Sequence, residues 1–445
     1  MEAEDPTAAV LLCEVVVMEI LSWLPAKPLT RLKLVCKSWN SIISDPHFVK
    51  LHLHRSPKNG ILLTLDEEKK WDLVFSSVES FIQNPSSTLV AQENRYSLHV
   101  DDWVVGSCNG LVCVALALDH PKTDIWDTWV RLLNPLTGCI SENSPCLRVN
   151  MDNVLGFGYD ESSDSYKVLA IIWDSSGTLI TQVYSFGGSS WKRIKSFPAF
   201  PFSSEDNGSF IGGTLNWIAL RTPHGGRYDW NAVTLDMLTL VSFDLKSDTS
   251  KEIPLPKGID EIPSEEQTLG VWGNSLYLLH DYQNTHFIAW QMKEFGDENS
   301  WTQLLKISFH HLGVEWLFPG FVFENGNVFM LRGSHGSEAV FYDRRDNSVK
   351  RVNINNLDFD AFDYVESLRD GWEGRACKTF IVEEVNGKIS AYMQGLENVT
   401  PMVTKIDQKS AIELESYGLG TRMMLFQSLL LILEERKRER AEFLP

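Results

Sequence analysis

The stretch that decides the fold is Gly213-Thr214-Leu215-Asn216-Trp217-Ile218, in which a glycine turn leads into an apolar strand. The same unit recurs at residues 109–114, 273–278 and 326–331. The steps between successive turn glycines are 103, 60 and 53 residues, so the first step is close to twice the others. Periods of about 50 residues with several strands in each are typical of the blades of a β-propeller.

Two other signals recur between those units. A strand that ends in an acid or amide and continues into a polar turn occurs at residues 133–138, 243–247 and 342–346, and a turn followed by tryptophan occurs at 188–192 and 298–302. Runs rich in Val, Phe, Trp and Tyr between such turns predict β-strands. We therefore predict an all-β, propeller-like domain over residues 60–400. A pair of β-sandwiches is the alternative, because its turns carry similar signals.

Composition and charge limit the classes of function. The chain has 445 residues, of which 43% are hydrophobic and 22% charged, and these values exclude collagen, a coiled coil and global disorder. The formal net charge of −19 repels phosphate backbones, so we predict no nucleic-acid binding. Residues 24–58 are the exception, with seven basic side chains and one acidic side chain. That local positive charge suits an acidic protein partner.

The cysteines and the apolar runs indicate the compartment. Seven scattered cysteines argue against a disulfide framework and for buried thiols in a reducing compartment, and none has the spacing of a zinc site. Residues 1–10 are acidic and lack the basic region of a signal peptide. The longest apolar run, 423–433, would reach about 16 Å as a helix, roughly half of a bilayer core. We predict a cytoplasmic and/or nuclear protein with no membrane span, metal or cofactor.

The first 55 residues follow a helical pattern. Apolar residues recur at helical spacing until Pro25 stops the run, and a second helix is predicted to begin at Pro28. A third helix is predicted over residues 38–44, up to the break at Asp45-Pro46. Three helices this short make a poor core, so we expect this module to depend on a partner for its stability.

Residues 12–53 resemble the F-box of plant F-box proteins, most specifically in the segment Cys36-Lys37-Ser38-Trp39 and the preceding Leu24-Pro25. The long domain resembles the F-box-associated, kelch-like interaction domain of those proteins, through short segments in the same order at 105–111, 134–137, 156–160, 166–168 and 183–185. The predicted fold class is therefore α+β multidomain. It comprises a three-helix F-box at 11–55, the propeller-like domain at 60–400 and a C-terminal helical tail at 411–442.

The resemblance implies the substrate-recognition subunit of an SCF-type cullin-RING E3 ubiquitin ligase, with no catalysis by the chain itself. The F-box would bind a Skp-type adaptor, and the β domain would bind a target protein. On the family pattern, seven residues provide the adaptor-docking face or its support: Val16, Ile20, Leu24, Pro25, Leu29, Leu32 and Val35. Aromatic residues in or near turns are the predicted target contacts: Trp103, Trp126, Trp129, Trp230 and Trp372.

Two functions of other classes compete with this one. A propeller enzyme acting on sugars needs two carboxyl groups at a defined separation, and Asp360 and Asp363 near Glu366 are the candidates, although a solvated acidic loop is the commoner explanation. A ligase-independent scaffold would use the N-terminal helices only to cap the β domain. The Gly156-Phe157-Gly158 segment begins like a dinucleotide loop, but we interpret it as a pair of turn glycines.

Overall fold

The computed structural model describes residues 15–369 with fifteen short gaps, at 57–59, 68–69, 84–94, 100–101, 120–124, 151–152, 174–177, 196, 202–206, 222–231, 263–267, 316, 324–325, 334–337 and 355–358. The chain divides into two compact units between Arg55 and Ser56. The predicted tail at 411–442 lies outside the described residues. No helix in the described ranges is long and apolar enough to cross a membrane.

The first unit has four helices between residues 15 and 55, where three were predicted: α1 (15–21), α2 (Ala26–Leu32), α3 (Lys37–Ser44) and α4 (Pro46–Arg55). The Asp45-Pro46 pair ends α3, as predicted, and it also starts α4. The Asp45 carboxylate accepts hydrogen bonds from the backbone N–H groups of His47 at 2.8 Å and Phe48 at 3.2 Å. Asp can cap the start of a helix and Pro is tolerated in its first turn, so an Asp-Pro pair can begin a helix as well as end one.

Within residues 15–55, the helical unit buries only a few large apolar side chains. Leu21, Leu29, Ile43 and Phe48 are fully buried, and Trp39 is buried beside them. His52 of α4 is also buried, and its Nε2 lies 2.8 Å from the carbonyl oxygen of Leu24, the residue that follows α1 by three positions.

The second unit is a six-bladed β-propeller, and the alternative of two β-sandwiches is wrong. The strands form six antiparallel sheets in sequence order, and the first strands contact one another around a closed ring, β26 to β4, β9, β14, β18, β22 and back to β26. Blade 1 combines both ends of the domain, because β26 pairs with β1. This pairing of the last strand with the first closes the ring and removes two free sheet edges.

The strands have the following bounds. Blade 1 contains β26 (Phe359–Tyr364), β1 (Gly60–Glu67), β2 (Lys70–Ser77) and β3 (Arg95–His99). Blade 2 contains β4 (Asp102–Cys108), β5 (Leu111–Asp119), β6 (Ile125–Asn134), β7 (Cys139–Ile140) and β8 (Leu147–Asn150). Blade 3 contains β9 (Asn153–Asp160), β10 (Ser165–Trp173), β11 (Leu179–Ser185) and β12 (Lys192–Ile194).

Blade 4 contains β13 (Phe200–Pro201), β14 (Ser209–Ile211), β15 (Thr214–Leu220), β16 (Leu238–Asp244) and β17 (Thr249–Ile253). Blade 5 contains β18 (Thr268–Trp272), β19 (Ser275–Tyr282), β20 (His286–Met292) and β21 (Trp301–Ser308). Blade 6 contains β22 (Leu317–Phe323), β23 (Val328–Gly333), β24 (Glu338–Asp343) and β25 (Ser348–Asn353). Short helices accompany the strands: α5 (Val78–Gln83), α6 (Phe309–Leu312) and the 3-10 helices Leu235–Met237 and Glu298–Ser300.

The repeated sequence signals occupy equivalent places in successive blades. The turn glycines precede the second strand of blades 2, 4, 5 and 6, and each has a positive φ between 61° and 83°: Gly110, Gly213, Gly273 and Gly326. Residues with a side chain rarely adopt that conformation. The acid or amide of the second signal ends the third strand in blades 2, 4 and 6, where its side chain accepts the backbone N–H two residues on at 2.7 to 2.9 Å. Both signals are local turn chemistry, which explains their regular recurrence.

The interpretation of Gly156 and Gly158 as turn residues is wrong. Both lie in strand β9, where they let blade 4 approach closely. A Cβ on Gly156 would lie 2.5 Å from the ring of Trp217, and one on Gly158 would lie 2.4 Å from the ring of Phe210. Glycine in a strand marks such a close approach as readily as it marks a turn.

The cysteines only partly match the expectation of buried thiols. Cys108 and Cys113 are buried and free, and burial raises the pKa of both thiols well above the usual value. Cys146 is free but exposed. Cys139 is disulfide-bonded, contrary to the expectation.

The two faces of the propeller differ in their connections. One face carries the tight turns that join the first strand of a blade to the second and the third strand to the fourth, and we call it the turn face. We call the opposite face the loop face. Gly60 pairs with Tyr364, so the chain enters β1 and leaves β26 at the turn face. The connections between second and third strands, and those between blades, therefore lie at the loop face.

Candidate functional site

The exposed large apolar side chains are concentrated in the helical unit. Among the described residues, five of the six are found there, with exposed fractions between 40% and 71%: Val15, Val16, Trp23, Leu34 and Val35. The sixth is Leu118 of the propeller. Single exposed apolar residues are ordinary on a protein surface, but five in the described part of a unit of four short helices are a notable concentration of exposed apolar area.

The residues predicted as adaptor contacts differ in exposure. Val16, Pro25 and Val35 are exposed, while Ile20, Leu24 and Leu32 are half-buried. Leu29 is fully buried, so it can only support the others from the core.

Sequence reasoning missed three exposed residues, Val15, Trp23 and Leu34. Each of the three is the immediate chain neighbour of a predicted residue and is itself apolar. That apolar character was the signal in the sequence that could have identified it. Helical spacing could not identify Trp23 and Leu34, because α1 and α2 end before these residues.

The Trp23 side chain contacts Arg55, the last residue of α4. The guanidinium carbon of Arg55 lies 4.7 Å from the centre of the Trp23 ring, and the indole N–H donates to the Glu19 carboxylate at 3.2 Å. Arg55 also pairs with Glu19 at 3.0 Å and donates to the hydroxyl of Ser22 at 2.5 Å. The hydrogen bond from Arg55 lowers the pKa of Glu19. These contacts hold the exposed ring in one orientation, which reduces the entropy lost when a partner binds it.

Basic side chains accompany the apolar surface. Arg31, Lys37 and Lys50 are exposed on α2, α3 and α4. Three cations in a small unit of an otherwise acidic chain favour association with an acidic surface.

In the propeller, three of the five tryptophans predicted as target contacts are described, and all three belong to blade 2. Trp103 of β4 and Trp126 of β6 pack against the apolar cluster between blades 2 and 3. Trp129 is half-buried and lies on the other face of β6, because odd spacing along a strand places side chains on opposite faces. Trp230 and Trp372 lie outside the described residues.

The acidic residues proposed for a sugar-acting enzyme do not converge. Asp360 and Asp363 are three positions apart in β26, so their side chains point to opposite faces of the strand. Asp360 pairs with Arg332 at 3.0 Å. A glycosidase requires two carboxyl groups that face one bond of the substrate, and this pair lacks that arrangement.

Polar groups near the propeller axis bond the first strands to one another. Asn207 donates to the carbonyl oxygen of Val104 in blade 2 at 2.9 Å, and Ser209 donates to that of Leu269 in blade 5 at 3.1 Å. Among the described residues, no group of three or more His, Cys, Asp or Glu could hold a metal ion.

A buried ion pair joins blades 3 and 4. Lys167 of β10 lies 3.0 Å from Asp160 and 3.7 Å from Asp248, and it donates to the carbonyl oxygen of Leu245 at 2.5 Å. Burial raises the pKa of Asp160, but hydrogen bonds from Ser163, Ser162 and Lys167 together hold it well below its usual value. Lys167 and Asp160 therefore have a structural role, since each is engaged by the other and by neighbouring polar groups.

Two family models match the chain. The model described as F-box domain matches residues 11–51, and the model described as F-box associated beta propeller domain matches residues 37–370. The F-box/kelch-repeat protein At3g23880 of Arabidopsis thaliana is 32% identical over 307 residues, which cover 65% of this chain and 77% of that protein. The F-box protein CPR1 of the same plant is 26% identical over 324 residues, which cover 66% of this chain and 72% of that protein.

Solved structures resemble the chain only distantly. TolB from Acinetobacter baumannii matches with a TM-score of 0.32 and 11% identity, over 66% of this chain and 69% of that one. A similarity of this size has no bearing on function. The family model covers most of the chain, and it agrees with the helical unit and the six blades described above. The chain belongs to the plant F-box proteins that carry an F-box-associated β-propeller domain.

Proposed function

We propose that this protein is the substrate-recognition subunit of an SCF-type cullin-RING E3 ubiquitin ligase. The helical unit binds a Skp-type adaptor, and the propeller binds the protein to be ubiquitinated. The chain itself performs no catalysis. It works in the cytoplasm, the nucleus or both.

The observation that carries the proposal is the exposed apolar surface of the helical unit. Five large apolar side chains are exposed on helices whose core is limited to a few residues, so covering them stabilises the unit as well as the complex. The seven predicted docking residues are compatible with this role, three of them as exposed side chains, three as half-buried ones and Leu29 as internal support. The exposed cations on α2 to α4 add attraction to an acidic adaptor.

The propeller suits target capture better than catalysis. The ring of blades is closed by β26, and apolar clusters fill the space between blades. The loops are therefore held in position by a rigid framework. The candidate carboxylates point apart, and polar groups near the axis bond neighbouring strands. A scaffold without a ligase connection would not need an exposed apolar surface on the helices.

The test is the affinity of the purified full chain for a Skp-type adaptor. We expect that replacing Leu24 by Asp and Pro25 by Gly together weakens binding at least about tenfold, because both contribute surface to the docking face. Val35→Asp, at an exposed position, should do the same with little effect on folding. His54→Ala, an exposed change on α4, is the matched control and should bind like the wild type.

Ubiquitin transfer supplies the second measurement. The wild-type chain assembled with adaptor, cullin and RING subunit should promote ubiquitination within the complex, and Val35→Asp should lose it. Wild-type chain that does not bind any Skp-type adaptor would contradict the proposal. Sugar hydrolysis or oxidation by the purified chain would support the enzyme alternative.

A further inference from the structure

Trp23 is the largest of the exposed apolar side chains described in the helical unit. It is 49% exposed, and its indole N–H donates to the carboxylate of Glu19, four residues earlier in the chain. Val15 and Val16 precede Glu19 by four and three positions, so these three residues share one face of α1. The Trp23 indole lies beside Glu19 and continues that face. We call Val15, Val16, Glu19 and Trp23 the α1 face.

The α1 face is exposed, whereas the other side of the helix is buried. Val17 and Leu21, four positions apart, belong to the core. A surface helix usually presents polar side chains to solvent, but three of the four residues of the α1 face are apolar. Exposed apolar residues that adjoin one another in this way indicate a surface that binds another protein.

Arg55 orients the Trp23 ring. It is the last residue of α4, and its guanidinium carbon lies 4.7 Å from the centre of the ring. The indole is therefore held by a cation–π contact on its face and by the hydrogen bond to Glu19 at its N–H. A tryptophan whose orientation is set before binding is well suited to contribute strongly to an interface.

The same arginine pairs with the one charged residue of the α1 face. Arg55 lies 3.0 Å from the Glu19 carboxylate, and its hydrogen bond lowers the pKa of that group. Without Arg55, a partner that covered the face would bury an unpaired carboxylate, which weakens binding. With Arg55 in place, the face offers apolar area and a neutral ion pair.

We propose that Trp23 binds an apolar surface of the Skp-type adaptor, and that Arg55 is the positioning residue for this contact. Arg55 fixes the orientation of the Trp23 ring and keeps Glu19 paired when the adaptor covers the α1 face. The adaptor is the occupant because Val16 of this face is a predicted adaptor contact, and because the exposed cations of the same unit favour an acidic protein. This inference rests on the proposed function, since it adds residues to the surface that binds the adaptor.

The test is the affinity of the purified full chain for a Skp-type adaptor, measured for single and double variants. Trp23→Ala should weaken binding at least about tenfold, as expected when a tryptophan at the centre of an interface is removed. Arg55→Ala should weaken it at least about fivefold, because the ring is released and Glu19 is left unpaired. His54→Ala, at the neighbouring exposed position of α4, is the matched control and should bind like the wild type. Helical circular dichroism at the assay temperature should be the same for all variants.

Two double variants distinguish positioning from general support of the fold. Glu19→Gln keeps an acceptor for the indole N–H and removes the charge, so adding it to Arg55→Ala should restore affinity by about threefold. Arg55→Ala should also reduce affinity less in a Trp23→Ala background than in the wild type, since both residues act on one contact. A purely structural role for Arg55 would give equal losses in both backgrounds and no recovery with Glu19→Gln.

The possible outcomes separate this inference from the proposed function. A wild-type chain that fails to bind the adaptor would overturn both. If the wild type binds and Trp23→Ala binds equally well, only the inference is overturned, and the same holds if Glu19→Gln gives no recovery. A wild-type dimer that Trp23→Ala converts to a monomer would assign the α1 face to a second copy of the chain and would overturn the inference as well.

Discussion

Arg369 is the residue whose replacement best tests how the propeller ring is held closed. After β26 ends at Tyr364, the chain continues across blades 2 and 3. Asn134 of blade 2 donates to the carbonyl oxygens of Ser367 at 3.1 Å and Arg369 at 2.7 Å. The Arg369 side chain then reaches blade 3, with 16% of its surface exposed. The segment 365–369 therefore links the closing strand β26 to blades 2 and 3.

The Arg369 contacts give the size of the expected effect. Its guanidinium carbon lies 4.6 Å and 5.1 Å from the ring centres of Tyr159 and Tyr166, and it pairs with Asp164 at 2.5 Å. A hydrogen bond between charged groups contributes about 1.5 to 3 kcal/mol, and each cation–π contact adds about 0.5 to 1 kcal/mol. Tyr159 still donates to Asp164 after truncation, so neither group is left without a partner. We expect Arg369→Ala to lower the free energy of unfolding by about 3 kcal/mol.

Urea denaturation of the full chain, followed by tryptophan fluorescence, measures this loss. Arg193→Ala is the matched control, because Arg193 is exposed on the edge strand β12, and its free energy of unfolding should stay within about 0.5 kcal/mol of wild type. Asp164→Asn combined with Arg369→Ala should destabilise by less than the sum of the two single changes, since the residues interact directly. Equal midpoints for Arg369→Ala and Arg193→Ala would refute the argument.

Two further predictions follow from the packing of each unit. Gly156→Ala should destabilise the propeller by about 1 to 3 kcal/mol in the same urea assay, because its Cβ would lie 2.5 Å from the Trp217 ring. Gly270→Ala is its control, since all contacts of that Cβ are at 3.7 Å or more, and a similar loss in both variants would contradict the clash. Burial lowers the pKa of His52 from 6.5, so the stability that its neutral form contributes is complete above pH 6.5 and is lost as the pH falls through the lower folded-state pKa. Helical circular dichroism should show this loss, and His52→Gln, which keeps a donor for the carbonyl of Leu24, should reduce the pH dependence; an unchanged slope would exclude His52 as its source.

Features that depend on a few neighbouring residues could be predicted from the sequence. The turn glycines recur because a positive φ is a local requirement, so the propeller was predictable from Gly110, Gly213, Gly273 and Gly326. Blade 3 lacks such a glycine, because its first turn uses Asp160, whose carboxylate accepts the backbone N–H of Ser162 at 2.9 Å. That difference in turn chemistry is why one period of the repeat seemed twice as long as the others.

The surface residues of each unit could be predicted only in part. Helical spacing led to Val16 and Val35, which are exposed, but it also led to Leu29, which is buried. Among the tryptophans, composition could not separate Trp129 from Trp126, because the difference is the face of β6 on which each one lies. Burial depends on what the neighbouring elements cover, and a spacing rule contains no information about them.

The sequence by itself determined that this protein has a helical module followed by repeated β units, because turn conformation, helix periodicity and strand propensity act over a few residues. The tertiary structure decided the number of blades and the closure of the ring, since Gly60 pairs with Tyr364 across about three hundred residues. It also decided that Asp45-Pro46 starts a fourth helix, and that Leu118 stays exposed while the valines before it in β5 are buried. Those outcomes depend on contacts between distant segments, which become visible only when the chain is folded.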